Sequence, residues 1–134
     1  MTIDNDKELI IKEIKAIPIS FPIESKNRVR LGIGNSIKND AVMVKVTTQG
    51  GLVGWGEAHH GRCPGAIAHL INTTIKILIE GKNANNINEI WNIIYRNQLA
   101  SHGMGTGACL ALSGLDLALW DIKGKSLGLP IYKL

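Results

Sequence analysis

Cysteine is almost missing from this chain, which has two in 134 residues, Cys63 and Cys109. Two cysteines do not make a disulfide framework, and a small cysteine-stapled secreted module is excluded. Aromatic residues are also few, six in all. No pattern of rings interleaves with Lys and Arg, so a base-stacking nucleic-acid surface has little support. The net charge of +4 is mild and its cations are scattered rather than blocked. No apolar run approaches the ~18 residues of a membrane span. The opening Met1-Thr-Ile-Asp-Asn-Asp-Lys-Glu carries acids where a secretory signal carries bases, and Leu9-Ile10-Ile11 is too short for a signal core. The expectation is a cytoplasmic protein that binds neither nucleic acid nor membrane.

What remains is an ordinary globular balance, 45% hydrophobic and 19% charged. One domain of this length buries roughly two-thirds of the surface its unfolded chain exposes. The first half reads as strand and the second as helix. Ile11 to Ile19 is β-branched and partly alternating, closed by Pro18 and Pro22. From Ala41 to Thr48, Val42, Val44 and Val46 face one way while Lys45 and Thr47 face the other. Gln49-Gly50-Gly51 supplies a turn, and Leu52 to Ala58 returns as the partner strand of a hairpin. Between the first two strands, Ser20 to Asn39 has no clear period and carries Lys26, Arg28, Arg30 and Lys38. So long a loop is uncommon unless it is functional or disordered.

Pro64 suits the first turn of a helix whose apolar positions are Ile67, Leu70, Ile71, Leu78 and Ile79, with Gly81 placed to end it. Asn86 followed by Glu89 predicts a capping box, with Ile87, Ile90, Trp91, Ile94 and Tyr95 along one face. A third helix runs from near Thr106 to about Leu127, stopped by Gly128 and Pro130. Its stripe of Ala108, Leu112, Leu115, Leu119 and Ile122 is opposed by Leu110, Leu117 and Trp120. A helix apolar nearly all round is covered on both sides. One side meets the sheet, and the other calls for a further partner. Strands followed by helices define an α+β fold.

Several side chains invite chemistry. His59, His60, Cys63 and His69 resemble a zinc set, but neighbouring histidines are expected to point apart, and no Cys-x-x-Cys or His-x-x-x-His accompanies them. Cys63 before a helix start suggests a nucleophile, yet no oxyanion element or orienting carboxylate is recognisable. Gly103-Met-Gly-Thr-Gly107 opens a helix but follows helix rather than strand, so flexible connection and close packing explain it better than phosphate binding. Asp116 and Asp121 stand about 140° apart around a helix, which one ion cannot span unaided. Structural hydrogen bonding, or contact with a neighbouring domain, accounts for them better. Glu57, flanked by glycine, is expected to pair rather than react.

Two stretches carry a family resemblance. Gly54-Trp55-Gly56-Glu57-Ala58 and the run from Ser113-Gly-Leu-Asp-Leu-Ala-Leu-Trp-Asp to Leu134 resemble the N-terminal capping domain of the mandelate racemase / muconate lactonizing enzymes, in the enolase superfamily. The resemblance covers nearly the whole chain, though the first forty residues match only in outline. It implies a three-stranded antiparallel meander followed by a bundle of three or four helices, with residues 1–134 forming the capping domain. It also implies a (β/α) barrel carrying the chemistry, which needs about 250 residues and does not fit in this chain. In the family, two cap loops close over the barrel mouth. By position these are Ser20–Asn39 and His59-His60-Gly61-Arg62-Cys63. Arg62 is then expected to grip a substrate carboxylate, with hydrogen bonds from His59 and His60 and added charge from Arg28 or Arg30.

The reaction implied for the parent is magnesium-dependent removal of a proton α to a carboxylate. The polar, basic lid favours dehydration of a sugar acid, ahead of racemisation, epimerisation or cycloisomerisation. The magnesium ligands and bases belong to the barrel, so no catalytic residue and no metal ligand is expected here, and the chain alone is expected to be inactive. The expected partners are a small carboxylate substrate at the lid loops and a barrel domain or second copy over the third helix. A stand-alone partner-binding domain or a gene fragment is the other reading.

Overall fold

The computed structural model describes residues 5–32, 34–100 and 105–134. Three strands, β1 (Ile11–Pro22), β4 (Lys38–Thr48) and β5 (Val53–Ala58), form an antiparallel sheet in the order β1-β4-β5. Between β1 and β4, β2 (Arg30–Leu31) and β3 (Gly34–Asn35) make a two-rung ladder. A single turn, α1 (Asn5–Glu8), precedes the sheet. Three long helical segments follow it. The first joins α2 (Pro64–Leu70), a π-helical stretch (Ile71–Ile75) and α3 (Lys76–Ile79). The second joins α4 (Ile87–Ile94) to a π-helical stretch (Tyr95–Leu99). The third is α5 (Thr106–Leu127). The α+β meander with its helical layer is the arrangement the sequence predicts.

Alternation in the strands sets the core. Val42, Val44 and Val46 are fully buried beside Ile14 and Ala16, and the helices cover them with Ile71, Ile75, Ile79, Ile90, Ile94, Leu115, Leu119 and Ile122. In the first helix Ile67, Ile71, Ile75 and Ile79 recur every fourth residue. A strict α-helix would rotate that row by about 40° per step. The wider π turn takes up the drift and keeps all four inside. The third helix ends in a Schellman motif: Gly128 adopts φ 66°, Leu129 N–H donates to the Gly124 carbonyl at 2.9 Å, and Gly128 N–H donates to Lys125 at 3.2 Å.

Both outer strands are sealed by side chains from the helices. Asn72 accepts the Ala16 N–H at 2.7 Å and donates to the Ala16 carbonyl at 2.8 Å, capping the free edge of β1 at that residue. At the opposite edge Trp55 N–H donates to Asp121 Oδ2 at 2.8 Å, and Lys125 Nζ donates to the Val53 carbonyl at 2.8 Å. Unpaired strand edges invite pairing with other chains, and these contacts remove much of the template.

The structure corrects several expectations. Ser20 to Asn39 is an extended hairpin arm more than a loop. β1 and β4 stay paired out to Pro22 and Lys38, and Ile23 N–H continues the ladder to Ile37 at 2.9 Å. The arm's apolar residues, among them Phe21, Val29, Leu31 and Ile37, are exposed, so no buried face marks the strand period there. Asn86 makes no side-chain cap, because its amide donates to Glu89 Oε2 at 3.2 Å instead of its oxygen accepting from the backbone. Trp91 is exposed and stacks on Tyr95 with 5.2 Å between ring centroids, outside the Ile87, Ile90, Ile94 stripe. Leu110, Leu117 and Trp120 do not form one wet face. Leu110 and Trp120 pack partly against the core, and only Leu117 is exposed. Of the glycine-rich run 103–107, Gly103 and Met104 lie outside the described residues.

Candidate functional site

β5 ends at Ala58, whose buried methyl packs against Gly114. The next residues turn sharply. His60 and Cys63 bracket a turn closed by Cys63 N–H donating to the His60 carbonyl at 2.9 Å. Its central residues have positive φ, 54° at Gly61 and 62° at Arg62, as a type I′ turn requires. Pro64 follows at the first position of α2. This turn faces the far end of the β2–β4 arm across a cleft of about 530 Å³. Leu31, Asn35, Ser36, Ile37, Lys38, Asn39 and Asp40 line one side, and His59, His60 and Arg62 the other.

The two segments matched by position to the lid loops therefore meet, and three of the five substrate candidates stand together. Arg28 and Arg30 are not among the residues lining the cleft. Arg28 Nε donates to the Ile23 carbonyl at 3.1 Å, and Arg30 sits opposite Asn35 in the small ladder. The tip ladder reaches the cleft through Leu31 and Asn35 rather than through its arginines, and sequence position alone could not reveal that.

Sequence reasoning does not single out Lys38 and Asp40 as site residues. Asp40 lies opposite Ser20 in the β1–β4 register and accepts its hydroxyl, while Lys38 Nζ pairs with Asp40 Oδ2 at 2.9 Å. The Ser20 hydroxyl and then the Lys38 ammonium hold the Asp40 carboxyl below its ordinary value, with a smaller contribution from His60, against the opposing effect of desolvation. Lys38 thus has a carboxylate partner within the chain. Among the described residues no carboxylate pairs with Arg62, which is exposed at the cleft rim. A hairpin register extended to Ser20 would have exposed the Asp40 network in the sequence.

The two histidines do not point apart. Their rings stack at 4.5 Å, tilted by 19°. His59 Nδ1 accepts the Gly61 N–H at 3.0 Å, and His60 Nδ1 accepts the Arg62 N–H at 2.9 Å. Alternation of side chains belongs to extended strand, and the chain has left the strand by this point. His69 sits apart on exposed helix, and Cys63 is an exposed N-cap residue without a side-chain cap bond.

Magnesium, which the family resemblance implies for the whole enzyme, does not fit the residues present. Among the described residues no three His, Cys, Asp or Glu side chains gather. Asp121 is engaged by Trp55 N–H and by Lys125 at 2.6 Å. Asp116 is half-buried, and desolvation raises its carboxyl against a lowering hydrogen bond from Trp120. Glu57 lies on the exposed outer face of the sheet, opposite Met43.

The Gly-Trp-Gly-Glu-Ala motif has a packing explanation. A Cβ on Gly54 would stand 2.1 Å from the Ala118 carbonyl oxygen, and one on Gly56 2.1 Å from that of Gly114. Strand and helix touch backbone to backbone, which only glycine permits. The residues of both motifs are thus one interface.

Comparison with known proteins agrees. The family model for the mandelate racemase / muconate lactonizing enzyme N-terminal domain matches residues 15–134. The chain therefore belongs to this family and carries its N-terminal domain. A D-galactonate dehydratase family member of a Paenibacillus species is 43% identical over 95 residues, covering 69% of this chain and 22% of that protein. A D-mannonate dehydratase of Caulobacter vibrioides is 40% identical over 94 residues, covering 69% of this chain and 23% of that protein. A crystal structure of an enolase superfamily member from a Polaromonas species superposes with TM-score 0.86 at 46% identity, over 92% of this chain and 32% of that one. The chain spans under a quarter of the length of these curated relatives. No described helix is long and apolar enough to cross a membrane.

Proposed function

We propose that this domain is the substrate cap of an acid-sugar dehydratase, the cleft between the β2–β4 arm and the His59–Arg62 turn receiving the acid. The observation that carries the reading is the convergence of Arg62, His59 and His60 on that cleft, with Lys38 held by Asp40. A guanidinium with no carboxylate partner among the described residues suits a substrate carboxylate, which it can grip through two parallel N–H bonds. The imidazoles and the Asn35, Ser36 and Asn39 side chains suit hydroxyls. Closing such a cap over a substrate excludes water and fixes its orientation. The names of the dehydratase relatives support a sugar acid over a racemase or cycloisomerase substrate.

The chemistry of the whole enzyme, proton abstraction α to the carboxylate with magnesium stabilising the resulting charge, belongs in this proposal to a barrel not among these residues. The domain presents an apolar surface suited to such a neighbour. Met43, Trp55, Leu117 and Ile131 line a shallow groove beside the sealed edge of β5. The same surface keeps open the second reading, a stand-alone domain that binds a partner.

The test has two parts. The chain supplied with magnesium and D-galactonate or D-mannonate is expected to show no turnover. Titration of D-galactonate followed by amide NMR is expected to shift residues of the cleft, and Arg62→Ala to weaken that response about tenfold or more. Turnover by the chain alone, or shifts confined to other surfaces, would refute the reading.

A further inference from the structure

The turn that carries Arg62 is built in an unusual way. Type I′ turns favour Asn-Gly or Gly-Gly because both central residues need positive φ. Here the second central residue is an arginine at φ 62°, and among the described residues it is the one non-glycine with positive φ. Side chains with a Cβ resist this conformation, and residues held in it concentrate where the surroundings fix them for a purpose. The surroundings here are the two stacked imidazoles. His59 Nδ1 holds Gly61 N–H at 3.0 Å and His60 Nδ1 holds Arg62 N–H at 2.9 Å. Each ring reaches two residues ahead to a backbone donor, the reach by which an Asn or Asp side chain makes its own local turn. The stack at 4.5 Å ties one restraint to the other.

Asp40 Oδ2 stands 3.9 Å from His60 Nδ1, beyond hydrogen-bond reach, and is itself held by Ser20 and Lys38. A neutral imidazole whose Nδ1 accepts carries its proton on Nε2. The backbone contacts thereby decide which ring nitrogen can donate to a bound molecule.

We propose that His60, braced by His59, is a positioning residue that holds Arg62 in the left-handed turn presenting its guanidinium to the cleft, with both rings in the Nε2–H form. This rests on the cleft being a carboxylate site, and it assigns the two histidines a role that precedes any contact with substrate.

The experiment compares the native chain with His60→Leu and His60→Asn. Leucine removes the acceptor, while asparagine restores an oxygen able to take a backbone N–H two residues on. Three readouts are taken: Arg62 amide hydrogen exchange, imidazole ¹⁵N shifts of the native chain, and the response to D-galactonate. Exchange at Arg62 is expected to quicken about tenfold in His60→Leu, as loss of one hydrogen bond implies, and to stay near native in His60→Asn. The native rings are expected to show a bare Nδ1, and D-galactonate binding to fall in His60→Leu and recover in His60→Asn. Unchanged Arg62 exchange in His60→Leu, or a protonated Nδ1 on neutral His60, would overturn the proposal. Faster exchange with undiminished D-galactonate binding would overturn it too, leaving a structural role alone. A native chain that ignores D-galactonate would instead sink the carboxylate reading of the cleft, while exchange and ring shifts still decide how Arg62 is held.

Discussion

The α-carbon of Gly56 lies so near the carbonyl oxygen of Gly114 that a Cβ at position 56 would stand 2.1 Å from it. Because the obstruction is backbone, no rotamer change relieves it. Gly56→Ala is expected to destabilise the domain by about 3 kcal/mol, the upper end of ordinary overpacking. Gly65→Ala is the control: a Cβ there meets nothing within 4 Å. That variant is expected to be neutral or more stable by about 0.5 kcal/mol. Urea unfolding of both variants beside the native chain checks the pair.

Asp121 binds the Trp55 N–H at 2.8 Å and Lys125 at 2.6 Å. Asp121→Ala should cost about 1–2 kcal/mol and expose the Trp55 amide to faster exchange. Asp121→Asn keeps an oxygen for the strand and should retain most of the protection. Equal amide exchange in all three proteins would show that the edge is sealed by something else.

The Asp40 carboxyl is held below its ordinary value of 3.8 by Ser20 and Lys38. A depressed folded value means a stabilisation fully present above the unfolded value and lost as the pH falls through the folded one. Asp116 runs the other way. Its carboxyl is raised from 3.8 by desolvation, so its contribution improves as the pH falls through the raised value. Unfolding free energy measured from pH 7 to pH 2 should therefore fall less steeply below pH 4 in Asp40→Asn than in the native chain. A steeper acid decline in that variant would contradict the Ser20–Asp40–Lys38 network.

Leu117 is 46% exposed beside Trp55 and Ile131. Leu117→Lys should change stability within about 0.5 kcal/mol, since the side chain is not in the core. It should also reduce any concentration-dependent association of the isolated chain in analytical ultracentrifugation. A variant that associates like the native chain would remove this groove from consideration as a partner surface.

The sheet and the third helix are legible in the sequence because single periodicities govern them. Val42, Val44 and Val46 alternate, and Leu112, Leu115, Leu119 and Ile122 keep helical spacing up to the stop at Gly128. The π turn at Ile71–Ile75 is hidden, because a four-residue repeat of isoleucines looks like an ordinary helix that drifts. The arm from Ser20 to Asn39 escapes notice because its apolar residues, Phe21, Val29, Leu31 and Ile37, are exposed and are broken up by Pro22 and by glycines, so no buried face sets a single period along it. At the cleft, Arg62 and the histidines are visible as polar residues after a strand. Asp40 and Lys38 are not, since their place depends on strand register with Ser20. The stacking of His59 and His60 depends on positive φ at Gly61 and Arg62, and an arginine gives no sign of adopting it.

The most direct measurement of the central claim is a paired amide-NMR titration of the ¹⁵N-labelled chain with D-galactonate and with galactitol, the polyol of the same carbon chain without the carboxylate. The carboxylate-binding cap predicts that D-galactonate moves the amides of Lys38, His60 and Arg62, and that galactitol moves them far less. Equal responses to both, or none at those residues, would contradict it.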